Sequence, residues 1–174
     1  MDDILELGEK GVKLNIYVAA SFCYTEQAKT SQHKYIIEKI VNRIGSTMAD
    51  KGIEAEFYLP HLFKVQDAWD MSLEEWSRKV YEKDLLELTG SNIVIFLSFG
   101  KENNDGAAWE VGFVNGINFS GVDEKIPVVV VKLTDEPESL MISNSCSRII
   151  TADEIEDYDW ETLPEYKTDL EKLG

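Results

Sequence analysis

The chain has 174 residues, of which 44% are hydrophobic and 10% aromatic, so it is long and apolar enough for one domain and is neither disordered nor collagen-like. Its net charge of −16 disfavours binding to nucleic acid or to anionic membranes. No run approaches the ~20 apolar residues of a membrane span, and the acidic start lacks the pattern of a signal peptide. Its two cysteines show no metal-ligand spacing. We therefore expect a cytoplasmic protein that uses no metal.

Strand-like and helix-like segments alternate along the chain. Residues 1–12 are expected to form an N-terminal extension, and residues 13–174 a single domain. Apolar, β-branched runs predict five strands, at residues 13–19, 54–58, 93–99, 127–133 and 148–151. Helical periodicity and capping signals predict helices at residues 26–51, 73–88 and 107–117, with a short element at 139–144.

This alternation predicts an α/β fold, a flavodoxin-like doubly wound five-stranded parallel sheet with helices on both faces. Continuous apolar strands such as IVIFL fit burial on both faces of the sheet. Ligands of such folds bind beyond the carboxyl ends of the strands. The loop after the first strand, AASFCYTEQ, has neither the glycines of a dinucleotide site nor a basic residue. We therefore expect no phosphate-bearing cofactor.

Two carboxylates stand on apolar helix faces. Asp84 continues the i, i+4 line of Trp76, Val80 and Leu88, and Glu110 lies among apolar residues of the next helix. Burying an ionised carboxylate costs free energy unless it is paired, so each acid has either a structural partner or a chemical task. Glu110 also follows the loop after a central strand, where an anionic carboxylate in a partly dry site acts as a nucleophile or a base.

Three segments resemble the signature blocks of nucleoside 2-deoxyribosyltransferases: KLNIYVAASF, EKDLLELTGSNIVIFLSFGKENNDGAAWEVGFVNG and ESLMISNSC. The resemblance implies transfer of 2-deoxyribose from a deoxynucleoside to a free nucleobase. In that family the glutamate of the AWEVG block, here Glu110, is the nucleophile and forms a deoxyribosyl ester. Two displacements at one carbon then retain the configuration. The resemblance also implies that Asp84 contacts the base and that Tyr17 orients the nucleophile.

Further substrate contacts follow from the same resemblance. Met141 matches a methionine that reaches into a neighbouring subunit's site, which implies a homodimer or a larger homo-oligomer. The family has an aspartate six residues before the nucleophile to bind the sugar, where this chain has Asn104 followed by Asp105. Ser139 stands where asparagine is common, a pattern closer to the related deoxynucleoside 5′-monophosphate glycosidases. Apart from the resemblance, the position of Phe22 after the first strand makes it a candidate to stack on a flat ring, together with Tyr17, Phe63 and Trp69.

Two other functions remain open from the sequence. One is a hydrolase of the same fold, an N-glycosidase that acts on deoxynucleosides or on their 5′-monophosphates. The other is a non-catalytic binding or signalling module, against which the Glu110 and Asp84 pair argues. The first loop lacks the arginine and glycine with which the monophosphate enzymes hold phosphate, which favours an unphosphorylated substrate. Tyr17, Phe22 and the aromatic residues of 60–71 are expected to form a flat slot that holds a base and excludes water.

Overall fold

The computed structural model describes residues 13–21, 27–103, 105–121 and 124–164. These residues form one sheet of five parallel strands in the order 2-1-3-4-5. The strands are β1 (Lys13–Ala20), β2 (Glu54–Tyr58), β3 (Ile93–Ser98), β4 (Val128–Lys132) and β5 (Arg148–Thr151). From β1 the chain first adds β2 on one side and then returns to add β3, β4 and β5 on the other side, so the switch point of the strand order lies between β1 and β3, as in flavodoxin-like folds. The predicted fold class is therefore confirmed, while the predicted extension at 1–12 lies outside the described residues.

Within the described residues, four α-helices connect or flank the strands: α1 (Gln27–Asp50), α2 (Leu73–Thr89), α3 (Asp105–Phe119) and α4 (Leu140–Ser145). The predicted cap of α2 is present, since the Ser72 hydroxyl accepts a hydrogen bond from the Glu75 amide at 3.2 Å. Helix α3 begins two residues earlier than predicted. Its first residue is Asp105, and a negative charge in the first turn is favoured by the helix dipole.

Two apolar layers cover the two faces of the sheet. On one face, Leu14 and Ile16 of β1 pack with α1 residues such as Ile44. On the other face, Tyr17 packs with α3 residues such as Val111, and α2 and α4 also contribute to this layer. The alternation along β1 follows from the two-residue period of a strand. Helices therefore lie on both faces, as predicted, and the α2 and α3 face carries the candidate site.

Candidate active site

Two tyrosines stand side by side on neighbouring strands, one within β1 and one at the carboxyl end of β2. Tyr17 of β1 and Tyr58 of β2 are register partners in the parallel ladder. Their ring centroids are 5.5 Å apart, with the planes tilted by 31°. Both rings belong to the layer that packs against α2 and α3. The register of the two strands thus places two phenolic hydroxyls under these helices.

Each tyrosine donates a hydrogen bond to one of the two carboxylates that the sequence singled out. The Tyr17 hydroxyl donates to Glu110 Oε1 at 2.9 Å, and the Tyr58 hydroxyl donates to Asp84 Oδ1 at 2.7 Å. Glu110 stands on the second turn of α3, and Asp84 stands on the last two turns of α2. Both distances lie in the normal range of O–H···O hydrogen bonds, and the contact from Tyr58 has the shorter length typical of an ionised acceptor.

The two carboxylates face one cavity of about 300 Å³ between α2, α3 and the sheet. The lining contains two acids, three hydroxyl-bearing side chains, one indole, one glycine and three aliphatic side chains, and it has no cationic side chain. The lining residues are Tyr17, Ser77, Val80, Tyr81, Asp84, Leu85, Leu88, Gly106, Trp109 and Glu110. This mixture of apolar walls with a few convergent polar groups is typical of a small-molecule site.

Three aromatic side chains, Trp109, Phe113 and Tyr81, pack against one another beside the cavity. The Trp109 ring stacks on Phe113, with centroids 5.0 Å apart, and meets Tyr81 at 6.0 Å in a tilted arrangement. Trp109 is 49% exposed, so part of its surface remains open to a ligand. A flat, half-exposed ring beside two carboxylates suits an aromatic heterocycle that also offers hydrogen-bond donors.

Burial dominates the electrostatics of both acids. It raises the pKa of Glu110 to about 7, against the opposing effect of the hydrogen bond from Tyr17, and the charge of Asp84 adds to the rise. Burial likewise raises the pKa of Asp84, while the hydrogen bond from Tyr58 lowers it. The pKa values of both tyrosines are raised, chiefly by burial, so both hydroxyls remain protonated donors at neutral pH. Perturbed acids in a cleft of this kind are typical of catalytic sites.

The other predicted site residues lie elsewhere or outside the described residues. Asp105 is exposed in the first turn of α3. Ser139 caps α4 by accepting a hydrogen bond from the Ile142 amide at 3.2 Å. Met141 is 80% exposed. None of these three residues lines the cavity, and Phe22 and Asn104 lie outside the described residues.

Several residues of the site were not among the sequence predictions. Ser77 and Tyr81 lie on α2 at positions that flank the Asp84 stripe, so the helical period offers a signal for them. Trp109 directly precedes Glu110. Tyr58 is the last residue of a predicted strand, but nothing in the sequence says which acid its hydroxyl meets.

Of the residues predicted to form an aromatic slot, Tyr17 lines the cavity. Trp69, in the 60–71 segment, is fully exposed, and neither Trp69 nor Phe63 lines the cavity. Tyr81 and Trp109 supply the rest of the aromatic surface that lines the cavity. In the described part of the chain, no group of three His, Cys, Asp or Glu residues is close enough to hold a metal ion. None of the helices in these residues has the length and apolar character needed to cross a bilayer.

Comparison with known proteins gives structural matches. A 2-deoxyribosyltransferase from the psychrotolerant bacterium Bacillus psychrosaccharolyticus is 26% identical, with a TM-score of 0.56 over 89% of this chain and 99% of that enzyme. A conserved protein from Enterococcus faecalis is 17% identical, with a TM-score of 0.56 over 84% and 99% of the two chains. The second match shows the fold alone. No protein-family model matches this chain, and no curated protein sequence does.

Proposed function

We propose that the protein is a nucleoside 2-deoxyribosyltransferase, which moves 2-deoxyribose from a deoxynucleoside to a second nucleobase. The observation that carries the proposal is the hydrogen-bonded, partly buried pair of Glu110 and Tyr17 on the wall of a cavity that is also lined by Asp84. The similarity to a 2-deoxyribosyltransferase supports the same reaction class. Fold similarity by itself does not fix function, so the proposal depends on the side chains of the site.

In the first step, a Glu110 carboxylate oxygen attacks the anomeric carbon of the deoxynucleoside. The N-glycosidic bond breaks, its electron pair goes to the base nitrogen, and the Asp84 carboxyl donates a proton to the departing base. The Tyr17 hydroxyl holds one Glu110 oxygen, which leaves the other to form the ester bond. The product of this step is a deoxyribosyl ester on Glu110 together with the free base.

In the second step, a nitrogen of another base attacks the same carbon and breaks its bond to the Glu110 oxygen. The carboxylate is restored, and the incoming base gives its proton to Asp84. Each step inverts the anomeric carbon, so the product keeps the configuration of the substrate. Placement of a base against Trp109 and Tyr81 favours this acceptor over water.

The lining of the cavity also favours an unphosphorylated substrate. It holds two acids and no lysine, arginine or histidine, whereas phosphate recognition uses cationic groups. A 5′-monophosphate would bring its negative charge close to Glu110 and Asp84. We therefore expect deoxynucleosides to be consumed faster than their monophosphates.

The decisive experiment follows the products of thymidine with and without excess adenine. Transfer predicts deoxyadenosine when adenine is present and only slow release of deoxyribose when it is absent. Release of deoxyribose at the same rate in both reactions, with no new nucleoside, would show a hydrolase. Consumption of thymidine monophosphate alone would show that the substrate is a 5′-monophosphate, as Ser139 suggests, and not the unphosphorylated nucleoside that the first loop suggests.

A second measurement tests the covalent step. A 2-fluorinated deoxynucleoside should leave a sugar adduct on Glu110 that mass spectrometry maps to the peptide containing this residue. Glu110→Ala should fold, lack the adduct and lose nearly all turnover. An adduct on any other residue would contradict the assigned nucleophile.

A further inference from the structure

Tyr58 holds Asp84 from outside the cavity. Its hydroxyl donates to Asp84 Oδ1 at 2.7 Å, yet Tyr58 is not among the residues that line the cavity. It belongs to β2, which is an edge strand of the sheet. The contact to Tyr17 at 5.5 Å supports its ring from the side of β1. A substrate would therefore meet Asp84 without touching Tyr58.

We propose that Tyr58 is the positioning residue for Asp84: it engages Oδ1, leaves Oδ2 available to the base, and controls proton exchange between Asp84 and the base. The inference rests on the proposed function and deepens it, because it assigns a second tyrosine to the acid that acts on the base. The two tyrosine–carboxylate pairs then have separate roles in the reaction. The Tyr17 pair serves attack on the sugar, and the Tyr58 pair serves departure and entry of the base.

Titratable groups surround Asp84 on every element that packs near it. Lys83 is close to the same tyrosine, with its Nζ 5.7 Å from the Tyr58 ring centroid. The groups that face this pair are Tyr17 from β1, Tyr58 from β2, Glu110 from α3, and Lys83 and Glu87 from α2. Besides the tyrosines, Glu87 and Glu110 contribute carboxylates near the Tyr58–Asp84 pair, and Lys83 contributes one ammonium group. The Tyr58 hydroxyl is the group that donates a hydrogen bond directly to Asp84.

Removal of the Tyr58 hydroxyl has a defined consequence. A hydrogen bond donated to a carboxylate stabilises the ionised form. Tyr58→Phe therefore moves the titration of Asp84 to higher pH and releases the carboxyl group to rotate about its side-chain bonds. The ring and its contact with Tyr17 remain, so the substitution removes the hydroxyl with little loss of packing.

The first test needs no enzymatic activity. Carbon-13 NMR of protein labelled at the aspartate carboxyl carbon follows the titration of Asp84, assigned by its loss in Asp84→Asn. The midpoint should rise in Tyr58→Phe and stay in place in Tyr35→Phe, a matched control whose ring is 66% exposed on α1. An unchanged midpoint in Tyr58→Phe would overturn the proposal, even if the protein proved to be a transferase.

The second test is a double-mutant cycle measured by turnover of thymidine. Tyr58→Phe should lower kcat by about 10- to 100-fold with a smaller change in KM, the size expected for a lost hydrogen bond to a charged group. Because Tyr58 acts through Asp84, Tyr58→Phe should add no further loss in the Asp84→Asn background. A 2-deoxyribosyl donor with a weakly basic leaving group should be nearly insensitive to both substitutions.

Additive losses in the cycle, or equal losses for both kinds of leaving group, would show that Tyr58 only supports the fold. Absence of any sugar transfer by the wild-type protein would defeat the proposed function instead. The NMR titration would then still decide whether Tyr58 controls Asp84.

Discussion

Glu110 ionises near neutrality because it is buried, and this property sets the expected pH dependence of the reaction. Its pKa is raised to about 7, and attack on the sugar requires the anion. Because the proposed step also needs a protonated Asp84, we expect two opposing limbs in the pH profile of kcat/KM, with the ionisation of Glu110 at about pH 7 setting one of them. The Tyr17 hydroxyl stabilises the Glu110 anion, so Tyr17→Phe should move this limb to higher pH.

The measurement is a pH–rate profile of kcat/KM for wild type and Tyr17→Phe, with Tyr35→Phe as control. The control should reproduce the wild-type limb, since Tyr35 is an exposed residue of α1. A limb that stays at the same pH in Tyr17→Phe, with only the maximum of kcat/KM lowered, would mean that Tyr17 does not affect ionisation of Glu110.

The same burial means that the ionised form of Glu110 lowers the free energy of unfolding. A carboxyl group whose pKa rises on folding binds more protons in the folded state, so the free energy of unfolding falls as pH increases from about 4.5 to about 7. Glu110→Gln removes the charge and keeps an oxygen that accepts from Tyr17. At pH 8 this variant should be more stable than wild type by roughly 1–3 kcal/mol, since one pKa unit corresponds to about 1.4 kcal/mol.

Urea unfolding at pH 8 and at pH 4.5 checks this expectation. The gain in stability should nearly vanish at the lower pH, where Glu110 is almost fully protonated in the folded state and about half protonated in the unfolded state. Glu124→Gln, at an exposed position, should show no comparable gain at either pH. Equal stability of wild type and Glu110→Gln at pH 8 would mean that the buried anion is fully compensated.

At the scale of the elements, the loop that leads into α3 depends on Gly100. Its φ is +64°, and an added Cβ would lie 2.6 Å from Glu136 Oε2 and 2.8 Å from Thr134 Oγ1. The Lys101 amide also donates to Glu136 Oε2 at 2.8 Å. The loop after β3 thus packs directly on the loop after β4, which fixes the approach to the helix that carries Glu110.

Gly100→Ala should therefore destabilise the protein by about 2–4 kcal/mol, from backbone strain and steric overlap together. Gly52→Ala is a matched control, because Gly52 has a φ of +78° but no atom within 4 Å of its added Cβ. It should show the strain alone, about 1 kcal/mol. Urea denaturation of both variants checks the difference, and equal losses would mean that the two loops are not in close contact.

The strands and the long helices could be predicted from the sequence because their signals are local. Apolar runs mark β3 and β4, and the Ser72 cap marks the start of α2. The stripe of α2 also indicated that Asp84 faces the protein interior. The pairing of Tyr58 with Asp84 could not be predicted, because it depends on the register between β1 and β2 and on the position of α2 over the edge strand.

At the scale of the whole molecule, one segment predicted to bind substrate is exposed and does not line the cavity of its own chain. Leu140 and Met141 are each 80% exposed at the start of α4, and neither lines the cavity. Exposed apolar residues on a highly acidic protein suit a protein–protein contact. In a symmetric homo-oligomer this segment would complete the site of a neighbouring subunit, as the resemblance to the deoxyribosyltransferases implies.

Subunit complementation tests this arrangement directly. Glu110→Ala lacks the nucleophile, and Met141→Asp replaces the apolar contact with a charge, so each variant alone should be nearly inactive. After exchange of subunits in an equal mixture, half of the dimers carry one chain of each kind, and each such dimer has one site with both native residues. Activity should therefore recover to about a quarter of the wild-type value.

Sedimentation of each variant is the control, since both must form the same assembly as the wild type for the mixture to be informative. The recovered activity should also decline as dilution separates the subunits, which a site contained in one chain would not show. A mixture no more active than the average of its two components, or a wild-type monomer that is fully active, would place Met141 outside the site. In that event the exposed start of α4 would have no part in substrate binding.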